Sequence, residues 1–318
     1  MPVGTLRIRP RLIESRQNPR VKELRAALAR TGKTPSGLIA IEGEHLVAEA
    51  MRSHLRIVTV FLRDGYQLPG ALQDLPHDAE HLILPPDVFS SAVSTEQPQG
   101  IAALVHPPTF SSATLFNGPA ALIPARRIAP LILVLAGLQD PGNVGTLLRS
   151  AEAFAANGVV LLPGTASPWN PKALRASAGS AFRVPAIHAT EGEALDLLAQ
   201  HNVPAIATVA RSGTPVSDAP LAGPCALLIG NEGAGLSETL LARAAHRITI
   251  PMPGNVESLN AAIAASLLLY EAARQRALSQ PLSSRPVPSR ASETGEVEGS
   301  AVLTARTTNR HNRQRRTP

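Results

Sequence analysis

Three stretches of this chain gather glycines and polar side chains just where an apolar run ends. They are Gly137-Leu-Gln-Asp-Pro-Gly-Asn-Val-Gly-Thr-Leu-Leu-Arg149, Gly230-Asn-Glu-Gly-Ala-Gly-Leu-Ser237 and Ile250-Pro-Met-Pro-Gly-Asn-Val-Glu-Ser-Leu-Asn260. In the first, Gly137 and Gly142 have the spacing of a phosphate loop, but Asn143 and Val144 stand where Lys and Ser/Thr would be needed. Nucleoside-triphosphate hydrolysis is therefore disfavoured. No G-x-G-x-x-G follows an apolar strand pattern, which weakens a nicotinamide enzyme. The segment around Ser177 is half a nucleophile elbow, with Arg175 in the first glycine position, so a hydrolase is also weak. No His, Cys or carboxylate group has metal-ligand spacing, and no metal is expected. What remains is chemistry of the main chain. Three glycines within 230–235 permit close approach and positive φ, leaving N–H and C=O groups free for a ligand. In the third stretch Asn255, Glu257, Ser258 and Asn260 precede an apolar helical pattern. Such a helix needs one N-cap, which Ser258 or Asn255 could supply.

These stretches need a rigid scaffold. Apolar runs at 131–136, 158–162, 203–209, 225–229 and 247–250 read as strands. Helical patterns at 144–156, 171–180, 191–201, 237–244 and 258–276 separate them. Continuous apolar strands alternating with helices make an α/β fold with a parallel sheet covered on both faces. Ligands collect beyond the carboxyl ends of such strands. Ahead of this series lie a helix at 15–30 with a basic face, strands at 37–43, 57–62, 81–85 and 100–106, and a helix near 44–53. The expected organisation is a small α/β domain over 1–106, a Pro/Ser/Ala-rich linker over 107–128, a second α/β domain over 129–276 and a disordered basic tail over 277–318.

With 44% apolar but only 3% aromatic residues, the cores of this 318-residue chain must be built from Ala, Leu, Val and Ile. The lone Cys225 excludes an intramolecular disulfide and suits a reducing cytoplasm. No apolar segment reaches the length of a membrane span, so no membrane partner and a cytoplasmic location are expected. The net charge of +6 is unevenly placed. Residues 1–35 hold nine Lys/Arg against two Glu, and residues 277–318 hold seven Arg against three Glu, so the body between them is acidic. Basic ends on an acidic body suit a polyanionic partner.

Taken together, Asn143 and Arg149 in the first stretch, "GNEGAGL" in the second and "IPM…SLNAA" in the third resemble the three motifs of the SpoU/TrmH family of RNA 2′-O-ribose methyltransferases. Order and spacing agree, and the resemblance runs from about 129 to 276. "NPKALRASAGSAFRVP" (170–185) looks like the family's segment between its first two motifs. "SRQNPRVKEL" and "IAIEGEHLVAEA" are similar to the ribosomal-protein-like, RNA-binding α/β domain that precedes many such catalytic domains. The resemblance implies a C-terminal trefoil knot whose cleft holds S-adenosyl-L-methionine. It implies backbone contacts to the cofactor from Gly230, Ile250 and Leu259, with Met252 beside the adenosine and Asn231 and Asn260 also in the cofactor-binding set. Ser258 and Asn260 would tie the knot, and Glu232 would support the loops. Arg149 would meet the substrate hydroxyl, with Asn143 positioning Arg149 or the ribose. Arginine stays protonated, so Arg149 is read as gripping a phosphate or the 2′-oxygen while a neighbouring group or water takes the proton. The resemblance further implies a homodimer, with Arg16, Arg20, Lys22 and Arg25 contacting RNA phosphates. The expected target is structured RNA, 23S-type ribosomal RNA before tRNA. The alternatives are a non-catalytic knotted RNA-binding protein and an α/β enzyme using another nucleotide. Two positions depart from the family pattern: Ala155 replaces a usual glycine, and Ala262 a common serine.

Overall fold

The computed structural model describes residues 10–31, 33–95, 97–117 and 129–279. Most of the expected linker, 118–128, and nearly all of the expected tail, 280–318, lie outside the described residues.

The first sheet is built from β1 (Arg11–Leu12), β2 (Ile39–Glu42), β3 (Ile57–Arg63), β4 (Glu80–Leu84) and β5 (Ile101–Val105), with helices α1 (Pro19–Ala26), α2 (Glu44–Arg52) and α3 (Pro86–Ala92). Its spatial order is β1-β4-β3-β5-β2. β4 runs parallel to β1 and β3, whereas β5 is antiparallel to both β3 and β2. Side chains alternate between faces, as strands demand. Ala40 and Phe61 join Val21 and Leu24 of α1 and Phe89 of α3 on one face. Ile39, Ile41 and Val60 join Val47 and Ala50 of α2 on the other. The helix expected over 15–30 is shorter: Asn18 caps α1, Pro19 opens it, and a wider π-type turn follows at Ala27–Thr31.

Within the expected linker, Ser112–Asn117 forms a helix, α4. Its Leu115 is fully buried with Ile132 and Val160. Six residues are too few for a helical period to emerge from the sequence.

The second sheet contains β6 (Leu131–Leu135), β7 (Gly158–Leu161), β8 (Ala186–His188), β9 (Ala205–Thr208), β10 (Thr214–Pro215), β11 (Cys225–Ile229) and β12 (His246–Thr249). Helices α5 (Pro141–Ala153), α6 (Pro171–Ser177), α7 (Glu191–Gln200), α8 (Glu238–Arg243) and α9 (Ala261–Leu278) accompany it. The strands are ordered β10-β12-β9-β11-β6-β7-β8 and every pair is parallel. β6, β7 and β11 are buried along their whole length, as their unbroken apolar runs require. β8 and β10 escape the sequence reading because they are short and not buried.

Around this sheet two helix starts differ from expectation by three residues, both because of a cap. α5 begins three residues early: Asp140 accepts from the Gly142 N–H at 2.8 Å, and Pro141 occupies the first position. α9 begins at Ala261, capped by Asn260, whose Oδ1 accepts from the N–H groups of Ala262 (3.0 Å) and Ile263 (3.2 Å). Neither Ser258 nor Asn255 is the cap. At its far end α9 is anchored by Arg276, buried and donating to the carbonyls of Leu221 (3.0 Å), Gly223 (2.6 Å), Pro130 (3.1 Å) and Ala129. No helix among the described residues is long and apolar enough to cross a membrane.

An ionic hub joins the two sheets. Arg183 donates to Glu152 of α5 through Nε (2.5 Å) and Nη2 (3.0 Å), and to Glu49 of α2 through Nη1 (2.5 Å). Burial pushes the Glu152 carboxyl up, but the Arg183 guanidinium and Ser180 outweigh it and leave it below the ordinary glutamate range. Gly179 lies against this hub; a Cβ there would come within 2.6 Å of the Glu49 side chain.

α5 ends in a left-handed turn: Ala156 N–H donates to Ala151 C=O at 2.8 Å while Ala155 takes φ 55°. This is the αL position after a helix that glycine adopts without a Cβ penalty, and the one at which the resemblance implies a glycine. Ala155→Gly should therefore raise unfolding stability by about 1 kcal/mol. Chemical denaturation of the two proteins checks this; equal or lower stability in the variant contradicts the strain.

Candidate functional site

A cavity of about 360 Å³ opens beyond the carboxyl ends of β9, β11 and β12. Gly230 to Gly235 after β11 form one wall, and Ile250 and Met252 after β12 another. Leu259 and Leu268 close it from the α9 side. The structure thus brings the sequence-selected Gly230, Asn231, Ile250, Met252 and Leu259 to one place. It adds Thr208 at the end of β9 and Val209 and Ala210 just after it, which the sequence reading missed as site residues. Their strand was legible, but its position between β11 and β12 follows from a crossover order that no local pattern encodes.

The β11 turn doubles back tightly. A Cβ on Gly230 would lie 2.5 Å from the carbonyl carbon of Gly235. Asn231 N–H donates to Gly235 C=O (3.1 Å) and Gly235 N–H donates to Asn231 C=O (2.9 Å). The Asn231 side chain locks the turn, its Oδ1 accepting from the N–H groups of Gly233 (2.8 Å) and Ala234 (3.2 Å). Its Nδ2 donates across to Gly137 C=O at 2.7 Å, pinning the second loop to the first.

A second set of contacts joins all three loops. Asn143 Nδ2 donates to Glu232 Oε1 at 2.5 Å, and Asn260 Nδ2 donates to Asn143 Oδ1 at 3.2 Å and to Glu232 Oε1 at 3.5 Å. Asn260 spends its oxygen on the α9 cap and its nitrogen on this network, which accounts for one member of the polar cluster. Asn255, Glu257 and Ser258 are exposed, and Ser258 faces the cleft. Among the described residues that line the cleft, Glu232 is the one ionisable group and none is Lys or Arg. Such a pocket repels polyphosphates and favours a neutral or cationic ligand. At the entrance to α5, Asp140 is held below the ordinary aspartate range by Lys172 (Nζ–Oδ1 2.7 Å) and then by the Gly142 N–H.

Arg149 lies elsewhere. It is exposed on α5 and does not line the cleft, and no hydrogen bond or ion pair among the described residues engages it. Six residues of helix advance by about 600°, so Arg149 and Asn143 point in different directions. α5 packs beside α9 through Ser150 Oγ–Ser266 Oγ (2.7 Å) and the edge-on rings of Phe154 and Tyr270 (5.9 Å). On that helix Ile263, Leu267, Tyr270 and Leu278 are 45–57% exposed and recur on one face.

The sequence-selected basic residues of the first sheet are clustered but occupied. Arg16 pairs with Asp87 (2.7 Å), and Arg20 with Glu23 (2.9 Å) and Glu80 (3.1 Å). Arg25 donates to Ser91 C=O (2.7 Å) and Oγ (3.0 Å). Lys22 is exposed. Among the described residues no group of three or more His, Cys, Asp or Glu is placed to hold a metal.

Many known proteins are similar to this chain. Residues 130–270 match the SpoU rRNA methylase family, and residues 18–103 match an MRM3-like substrate-binding domain. The 23S rRNA (guanosine(2553)-2′-O)-methyltransferase RlmP of Bacillus subtilis (strain 168) is 35% identical over 258 residues, covering 81% of this chain and 97% of that protein. The 23S rRNA (guanosine-2′-O-)-methyltransferase RlmB of Coxiella burnetii (strain RSA 493 / Nine Mile phase I) is 30% identical over 252 residues, covering 77% and 99%. The crystal structure of the SpoU methyltransferase AviRb from Streptomyces viridochromogenes, in complex with AdoMet, is similar with a TM-score of 0.69 at 28% identity, covering 81% and 99%.

The doubling back at Gly230 sets a prediction. Gly230→Ala forces the turn open, at a cost of about 1–3 kcal/mol in unfolding free energy. Denaturant titration measures it; an unchanged midpoint would show that the turn has room after all.

Proposed function

The chain belongs to the SpoU family of RNA methyltransferases, and from that premise we propose that it methylates a ribose 2′-hydroxyl of structured RNA, ribosomal RNA of the 23S type, using S-adenosyl-L-methionine. The observation that carries this reading is the cleft. It is largely apolar, edged by main-chain groups at three strand ends, and among the described residues its lining carries no cation and one carboxylate, Glu232. That lining suits an adenosine bearing a sulfonium better than a nucleoside polyphosphate.

In this reading Gly230, Ile250 and Leu259 hold the adenine edge through their backbone, and Met252 packs beside it. Asn231 and Asn260 hold the loop shapes through the contacts described above. When bound, S-adenosyl-L-methionine supplies an electrophilic methyl, so the chain's own task is alignment and proton removal. Arg149 grips the phosphate or 2′-oxygen with its fixed fork of donors, and the proton passes to water or a neighbouring group. Asn143, held by Glu232 and Asn260, orients the ribose from the other side. We assign the trefoil knot to the segment from β11 through α9, whose Asn260 reaches Asn143 and Glu232. The first sheet is assigned as the RNA-selecting domain, preceding a catalytic domain over 129–276. Its site of action is the cytoplasm, where the RNA is found.

Arg149 lies outside its own cleft beside a stripe of exposed apolar side chains, an arrangement suited to a two-fold dimer in which it serves the other copy's site. Leu267→Glu, an exposed position, should leave the fold intact but yield a monomer by light scattering, with methyl transfer lost. A fully active monomer would contradict the shared site.

The assignment of chemistry is tested by calorimetry and transfer together. The chain should bind S-adenosyl-L-methionine, and Arg149→Ala should retain that binding while its transfer to RNA falls on the order of 100-fold or more. No heat on titration, or an unimpaired variant, would overturn the reading.

A further inference from the structure

The segment 170–185 contributes no side chain to the cleft lining, yet it crosses from the chemistry to the first sheet. α6 packs so closely on α5 that a Cβ on Gly145 would fall 2.2 Å from Ala173 C=O. Pro171, Ala173, Leu174 and Ser177 face inward and are buried. Lys172 and Arg175, one turn apart, face outward together. At one end of this pair, Lys172 bonds Asp140 Oδ1 (2.7 Å), and its Cε lies 3.1 Å from where a Cβ on Gly142 would stand, next to Asn143. At the other end, Arg175 Nη1 reaches Ser94 Oγ at 3.4 Å, in the loop after α3 of the first sheet, and Ser94 N–H is held by the buried Glu42 at 3.2 Å. Lys172 thus stands at the entrance of α5, two residues from Asn143, and Arg175, one turn on, reaches the first sheet.

We infer that Lys172 and Arg175 form a phosphate track on which the substrate strand passes between the cleft and the first sheet. The inference rests on the activity proposed above and gives that site its RNA path. An RNA with its target ribose at Asn143 and its recognition element on the first sheet has the outer face of α6 on its way, since that face runs from the entrance of α5 to the Ser94 loop. Both side chains can take phosphate without breaking the fold. The Lys172–Asp140 pair is exposed on both sides and leaves two of the three ammonium donors free. Arg175 spends one long contact on a hydroxyl and keeps most of its fork. Arg20 and Arg25, in contrast, are committed to their own domain.

The test uses the full chain, an unmodified 23S rRNA transcript and a KCl series. The double variant Lys172→Ala, Arg175→Ala should bind the transcript about tenfold more weakly near physiological salt, with a log–log salt slope shallower by about one to two. Its affinity for S-adenosyl-L-methionine and its thermal midpoint should match wild type, and its loss in transfer should fall in KM rather than kcat. Arg243→Ala, remote on α8, is the control that leaves the slope unchanged. A double variant with wild-type slope and affinity overturns the track, as does one whose S-adenosyl-L-methionine affinity falls in parallel. Methyl transfer by wild type reports separately: an α6-dependent slope without transfer sinks the activity and keeps the track. Transfer with an α6-independent slope sinks the track alone, and a wild type that binds no RNA sinks both.

Discussion

The turn after β11 brings the backbone of Gly230 against that of Gly235 so closely that no side chain fits between them. Everything at the site depends on that approach. It leaves the turn's polar groups at the rim of an apolar cavity rather than buried against side chains, and it needs an internal lock, which Asn231 provides. The same asparagine extends its other end to Gly137, so the shape of the second loop is imposed on the first. Backbone groups carry no charge and cannot rotate away, which makes such a rim a rigid reader of a planar heterocycle. In the proposed reading, affinity for the cosubstrate rests mostly on glycines and amides.

Around this turn the side-chain network works as a coupling. Glu232, Asn143 and Asn260 each come from a different loop, and each also belongs to a larger element: the β11 turn, α5 and α9. Through α5 the network reaches Glu152 and the Arg183 hub, and through the hub it reaches α2 of the first sheet. A carboxylate on both sides of one guanidinium keeps the charges paired where they are partly desolvated, and losing one partner there is costly. The helix proposed to handle the ribose is therefore braced at one end by the loops and at the other by the sheet proposed to select the RNA.

Much of this was legible in the sequence. The long buried strands β6, β7 and β11 appear as unbroken apolar runs, and the loops that follow strands carry the unusual glycines. The cap of α9 was misplaced because Asn255, Ser258 and Asn260 are equally good capping residues, and only the hydrogen bonds of Asn260 distinguish them. The contribution of Thr208 to Ala210 was hidden because strand order is a long-range property. The basic residues of α1 looked available because a sequence does not reveal that Asp87, Glu23 and Glu80 converge on them. Ala155 is instructive in the opposite sense: the resemblance implied glycine there, and the positive φ explains why.

The central claim is that the transferred methyl ends on a ribose oxygen. Alkali cleaves RNA through the free 2′-hydroxyl, so a methyl on that oxygen leaves one linkage intact. The chain should be incubated with unmodified 23S rRNA and methyl-tritiated S-adenosyl-L-methionine, and the product digested with alkali. The account predicts label in an alkali-resistant dinucleotide; label confined to mononucleotides, or none in the RNA at all, would contradict it.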